Sequence, residues 1–246
     1  MKKESKTKTN AQRFIDAYNQ IDYSLRIQHD FKRSMNFSDM IRKAVVVNYI
    51  IRKYEDDLID YGRLRNAIIH RSNDEFIIAE PHDDVVEKIE RIAKLVCTPP
   101  KALDTVCTKD VLSVEYDVSI VEVIKLIKKS NFSNLPVYKK GNLIGVANGQ
   151  KILNYIGEFL LMNKSEDLVE FLSTTTIEKA IVNTDTINYF EVVDSDITIE
   201  QVLDLFQKNR KLLAVIITKT GQTKEIPLGI ITSSDVMEMN NILDNF

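Results

Sequence analysis

The feature that most constrains this chain is a repeat. Ile120, Val123, Ile124 and Ile127 fall at i, i+3, i+4 and i+7, the spacing of a half-buried helix. Ile199, Val202, Leu203 and Phe206 repeat that spacing 79 positions later. A short apolar run follows each helix, first Leu135-Pro136-Val137-Tyr138 and then, at the same offset, Ala214-Val215-Ile216-Ile217. Each run leads through a turn into a glycine-bearing strand, Leu143-Ile144-Gly145-Val146 and Leu228-Gly229-Ile230-Ile231; the offset grows to 84 here because the second hairpin is longer. A unit repeated in this way does not bury its own apolar face and needs its twin. The repeat therefore predicts a pseudosymmetric pair of βαββα units with a cleft between them.

At 246 residues the chain has room for two domains. Residues 1–9 are polar and Lys-rich and read as a disordered tail. From 10 to 97 the pattern is helical. Phe14, Ala17, Tyr18, Ile21 and Leu25 form one apolar stripe. Ile41, Ala44, Val45, Asn48 and Ile51 form a second, behind an expected N-cap at Ser38. Tyr61 to Arg71 reads as a third helix, or as the continuation of one that starts at Glu55-Asp56-Asp57. Pro81, Asp83 and Asp84 open a last helix, whose buried face is expected to carry Val85, Ile89, Ile92 and Val96. Thr98-Pro99-Pro100-Lys101 breaks it. The expected fold class is α+β: an all-α bundle (10–97), a linker (98–104), a first repeat (105–163) and a second (164–246).

Several classes are excluded. No apolar run reaches the roughly 18–20 residues of a membrane span. The basic N-terminus leads into an amphipathic stretch, not a signal-peptide core, so the expected compartment is the cytoplasm. Cys97 and Cys107 are the only cysteines, without a CxxC or a matched pair of histidines, so neither a disulfide scaffold nor a metal is expected. Net charge is −3, and residues 1–97 carry 18 Lys+Arg against 16 Asp+Glu, which makes no basic stripe. Charge permits a role on RNA without indicating one.

Thr232-Ser233-Ser234-Asp235 leaves an apolar strand and enters a helix. Helix N-terminal N–H groups attract phosphate, Thr232 and Ser234 add hydroxyl donors, and Asp235 suits the vicinal hydroxyls of a ribose. A simple helix cap by Ser233 or Ser234 is the plainer reading of the same residues. With Asp104-Thr105-Val106-Cys107-Thr108-Lys109-Asp110-Val111, Asp117-Val118-Ser119-Ile120 and Asn134-Leu135-Pro136-Val137, the run Gly229 to Val236 resembles a tandem of cystathionine-β-synthase (CBS) domains over residues 102–240. The resemblance implies a regulatory adenine nucleotide (ATP, ADP, AMP or S-adenosylmethionine). It places Cys107, Thr108 and Leu112 near the base, with Phe132 and Ser133 on the neighbouring strand. The twin site departs from the pattern, because Asn148 stands at the Thr position and Lys151 at the Asp position. A lysine accepts no hydrogen bond from ribose. The twin site is then empty or uses Lys151 as a phosphate contact, and one adenine-nucleotide site per chain is expected.

Arg65-Asn66-Ala67-Ile68-Ile69-His70, in its helical setting, resembles the HEPN superfamily, whose active members are metal-independent ribonucleases. That resemblance implies His70 as general acid or base, Arg65 as stabiliser of phosphorane charge and Asn66 as the group that orients the histidine. The competing reading makes His70 a capping or packing residue and pairs Arg65 with Asp57, Asp60 or another acid. Three functions are left open: a nucleotide-sensing regulator with a HEPN-like effector, a nucleotide-regulated ribonuclease, and a non-catalytic adaptor that docks a protein partner. A homodimer is expected through both modules, with Ile152, Leu153 and Ile156 as an exposed apolar face.

Overall fold

The computed structural model describes residues 8–69, 79–162, 167–181 and 189–246. They form two compact units, one of residues up to Pro100 together with Asn241–Phe246, the other of Lys101–Asn240.

The first unit is helical. α1 (Asn10–Gln28) opens with a capping box between Thr9 and Gln12, and its buried residues include the stripe Phe14, Ala17, Tyr18, Ile21 and Leu25. It packs chiefly on α5 (Asp83–Cys97). Full burial of Phe14, Ile21 and Leu25 stabilises by about 1.5–3 kcal/mol each. Across the same seam Arg13 grips Glu90 with two hydrogen bonds, 3.0 and 2.6 Å. Val86, not Val85, lies in the core beside Ile89, Ile92 and Val96, so the buried stripe of α5 starts one residue later than its spacing suggested.

The second expected helix is two helices. α2 (Phe37–Ala44) starts at Asn36, whose side chain accepts from Asp39 N at 2.8 Å, so Asn36 and not Ser38 is the cap. α3 (Tyr49–Lys53) starts at Asn48, which accepts from Ile51 N at 3.0 Å. The polar member of the stripe is thus a cap, and a buried one, because an Asn side chain satisfies an orphan N–H better than it continues a helix. α4 (Glu55–Ile69) begins with the three acids and runs unbroken, and Tyr61 meets Phe14 edge-on at 5.6 Å. Asp244 and Phe246 complete this unit through Lys53 (2.6 Å) and Lys94 (2.7 Å to the Phe246 carbonyl).

The second unit carries the repeat. After α6 (Ala102–Thr105) come β1 (Val114–Glu115), α7 (Ile120–Ser130), β2 (Asn134–Lys139), β3 (Asn142–Asn148) and α8 (Gly149–Met162). α9 (Leu168–Thr174) and α10 (Ile177–Ile181) lead to β4 (Phe190–Val193), α11 (Ile199–Lys208), β5 (Ala214–Ile217), β6 (Gly229–Thr232) and α12 (Val236–Asn245). The two sheets have orders β1-β2-β3 and β4-β5-β6, each with one parallel pair and one antiparallel hairpin. The first hairpin turns on Lys140 and Gly141, at φ 53° and 75°, the double left-handed conformation that matches strand twist in a two-residue turn. Tyr138, Leu143 and Val146 of one sheet share a core with Ala214, Ile216 and Ile230 of the other.

The repeats exchange their leading segments. Ala102 N donates to Ile197 O at 3.0 Å, and Ile177 N donates to Val118 O at 2.8 Å. Thr108 and Ile230 exchange two backbone hydrogen bonds, both 3.0 Å, so the segment before β1 pairs with β6. Ile152 and Ile156 pack into their own repeat's core; of the three residues expected as an apolar face, Leu153 alone is exposed, at 60%. Among the described residues no helix is long and apolar enough to cross a membrane.

Candidate functional site

The leading segment, the end of α7 and the end of β6 enclose a cavity of about 210 Å³. Its walls include Thr108, Leu112, Phe132, Ser133, Thr232, Ser234 and Asp235, seven of the eight residues singled out for this site in the sequence. Cys107 is not on the wall. Its thiol donates to Leu103 O at 3.3 Å and lies against Gly229, where burial pushes the thiol pKa up. A Cβ on Gly229 would come within 2.6 Å of Cys107 Sγ. Gly229 has no positive φ, so glycine is needed for this close approach and not for its conformational freedom. The twin repeats the device: a Cβ on Gly145 would meet Ile181 of α10 at 2.9 Å.

Thr232 ends β6, and Ser233–Asp235 form one 3-10 turn ahead of α12. Asp235 Oδ2 accepts from Thr232 N at 2.7 Å and from Thr232 Oγ1 at 3.0 Å. The hydroxyls of Thr232 and Ser234 lie 2.6 Å apart. Capping therefore occupies one carboxylate oxygen, while Oδ1 has no hydrogen-bond partner among the described residues and is available to a ligand hydroxyl. Capping and ligand binding are compatible in one side chain.

Asp110, Asn131, Asn134 and Ile230 also line the cavity. Asn131 carries a sequence signal: it follows the Lys128-Lys129-Ser130 end of α7 and adopts φ 61°, a left-handed C-cap that Asn tolerates. That turn leaves the Phe132 ring 40% exposed at the rim. Asn134 Oδ1 accepts from Asn148 Nδ2 at 2.8 Å, a pairing between strands that no local pattern announces.

The twin position is chemically different. Asn148 Oδ1 accepts from Gln150 N (2.9 Å) and Lys151 N (3.4 Å), capping α8. The Lys151 ammonium sits 3.6 Å from the centre of the Tyr189 ring, and burial holds its pKa below the usual lysine range. No carboxylate stands where Asp235 stands in the other half.

In the helical unit, Arg65 and Asn66 line a groove of about 640 Å³ with Arg26, Arg42 and Arg63. Arg63 pairs with Asp60 and Lys88 with Asp57, so neither acid holds Arg65. The Arg65 guanidinium lies 5.8 Å from the Tyr18 ring centre and donates to Asn66 Oδ1 at 3.4 Å. His70 lies outside the described residues. Among the described residues there is no group of three or more His, Cys, Asp or Glu able to hold a metal ion.

No curated protein matches the chain. Among solved structures, the CBS domain pair of protein MJ0100, in complex with 5′-methylthioadenosine and S-adenosyl-L-methionine, is 20% identical. It covers 58% of this chain and 97% of its own, with a TM-score of 0.43. The CBS domain of a bacterial CNNM/CorC family Mg2+ transporter in complex with ATP is 22% identical over 62% of this chain and 94% of its own, TM-score 0.42. CBSX2 in complex with AMP is 16% identical over 59% and 98%, TM-score 0.42. The CBS domain family matches residues 103–158 and 161–240, more than half of the sequence and both copies of the repeat. The chain belongs to the CBS-domain family.

Proposed function

We propose that the CBS pair binds one adenine nucleotide or related adenosine ligand per chain, and that the protein is a cytoplasmic regulator whose ligand state controls its helical unit. One observation carries this reading. A carboxylate oxygen without a partner, two hydroxyls and an exposed phenyl ring converge on one cavity, and the twin position offers a lysine against a tyrosine instead. Asp235 Oδ1 accepts from a ribose hydroxyl, the Thr232 and Ser234 oxygens, whose own protons go to Asp235 and to Thr232, offer further acceptors, and Phe132 offers a face for base stacking. Thermal shift over ATP, ADP, AMP, S-adenosylmethionine and 5′-methylthioadenosine tests it. A ligand at one hundred times its Kd stabilises the folded protein by about 2.7 kcal/mol. Asp235→Ala should abolish that shift while costing the unliganded fold only about 1 kcal/mol, the worth of its cap. Undiminished binding by Asp235→Ala, or two equivalent sites per chain, overturns the assignment.

A second reading concerns the helical unit. Its support is that Arg65 and Asn66 share one groove in which Arg26, Arg42 and Arg63 are paired with Asp22, Asp39 and Asp60, while Arg65 has no carboxylate partner among the described residues. In a HEPN-type ribonuclease, Arg65 would stabilise phosphorane charge and His70 would move the proton of the RNA 2′-hydroxyl. Such an enzyme cuts single-stranded RNA in EDTA, leaves a 2′,3′-cyclic phosphate and spares DNA. His70→Ala and Arg65→Ala should each remove cleavage. If RNA is untouched with every nucleotide, the unit is a dimerisation or docking element for a protein partner. A homodimer belongs to both readings, and sedimentation at micromolar concentration decides it.

A further inference from the structure

The charge around the cavity narrows the ligand class, an inference that rests on the adenosine reading above. Two carboxylates, Asp110 and Asp235, stand on its wall, and among the described residues none that lines it is Lys, Arg or His. Asp110 has no ion pair or hydrogen bond to its carboxylate among the described residues. The cavity's 210 Å³ is below the roughly 300–1,000 Å³ of drug-sized ligand sites, so the 5′ arm of any of these ligands extends out of it past its charged rim.

We infer that this site selects adenosine derivatives whose 5′ substituent is uncharged or cationic, a thioether or a sulfonium, over those bearing a 5′-phosphate. A phosphate dianion at the ribose 5′ position would stand near both carboxylates with no cation on the wall to offset them. Asp110 is exposed, and in near-bulk dielectric like charges a few ångströms apart repel by about 1 kcal/mol, a severalfold loss of affinity. A sulfonium, or the ammonium of an amino-acid arm, is attracted by the same groups. Asp110 acts at a distance, through its charge; Asp235 still carries the ribose.

The experiment is calorimetric titration of the full chain at 50 mM salt, without divalent metal, using 5′-methylthioadenosine, S-adenosylmethionine, AMP and ATP. The expected order is 5′-methylthioadenosine and S-adenosylmethionine at least about fivefold tighter than AMP, with ATP weakest. Asp110→Asn should move the ratio of AMP to 5′-methylthioadenosine affinity at least about threefold toward AMP, and 500 mM salt should move it the same way by screening. AMP or ATP binding tighter than 5′-methylthioadenosine, or a ratio indifferent to Asp110→Asn in a normally folded variant, overturns the charge selection and leaves the adenosine site standing. Failure of all four compounds to bind overturns the adenosine site itself.

Discussion

Replacing Gly229 by Ala tests how the cavity wall is built. The added methyl would lie 2.6 Å from Cys107 Sγ, 3.2 Å from Cys107 Cβ and 3.4 Å from Leu103 Cδ1. The sulfur contact cannot stand, and Cys107 is fixed between Leu103, to which it donates, and the Thr108–Ile230 pairing. Overpacking of this kind costs about 1–3 kcal/mol. At about 2–4 °C per kcal/mol, thermal unfolding should fall by roughly 2–12 °C. Cys107→Ala alone removes one buried atom and should cost about 1 kcal/mol. It also removes the clash, leaving a contact to which neighbours adjust by a few tenths of an ångström. The double variant should therefore be no less stable than Cys107→Ala alone, a coupling of at least about 1 kcal/mol in a double-mutant cycle followed by urea unfolding. If the two costs simply add, the steric account of Gly229 is wrong. Since Thr108 and Ile230 both line the cavity, Gly229→Ala should also weaken ligand binding, and Cys107→Ala should restore it.

Other outcomes follow from single groups. Phe132→Ala should lower adenosine-ligand affinity about five- to a hundredfold, the worth of one stacked base, with little change in melting temperature because the ring is exposed. Glu200 Oε2 is buried without a hydrogen-bond partner among the described residues, and burial, then the charge of Asp204, pushes its pKa up to about 7 from 4.5. A folded-state pKa above the unfolded one means stability present below about 4.5 and lost as pH rises through about 7. Glu200→Gln should thus gain on the order of 2–3 kcal/mol on wild type between pH 5 and pH 8, read from urea midpoints; an equal difference at both pH values refutes it. Lys151→Ala should cost about 0.5–2 kcal/mol through its lost contact with Tyr189 and leave ligand stoichiometry at one.

Repeating units were legible because their signals are local. The stripe of α7 and α11, the two hairpins and the motif glycines each follow from spacing within some thirty residues, and pairing of the sheets follows from the apolar strands. Asn48 misled because a buried polar residue in helical register looks like a flaw in one helix, whereas its side chain starts another. Ile152 and Ile156 misled because helix spacing gives a stripe without saying which neighbour covers it. At the cavity, the motif from Thr232 to Asp235 announced itself through residue types suited to ribose. Asp110 and Asn134 reach the same space only by tertiary pairing, Asp110 through the Thr108–Ile230 bridge and Asn134 through Asn148. No one-dimensional pattern carries that information.

The pairing of Thr108 with Ile230 also bears on how the protein comes off the ribosome. The strand partner of residue 108 is synthesised roughly 120 residues later, about 6–25 s at ordinary elongation rates. During that interval the leading segment has no sheet to join, and the first repeat lacks the segment at Ile177 that covers Val118. Neither repeat is therefore a folding unit in its own right, and the pair should condense only once β6 has emerged. A nonsense mutation or a proteolytic cut anywhere between the repeats would not leave half a functional protein. It would leave an unpaired strand edge, the kind of surface that recruits a second unfinished chain.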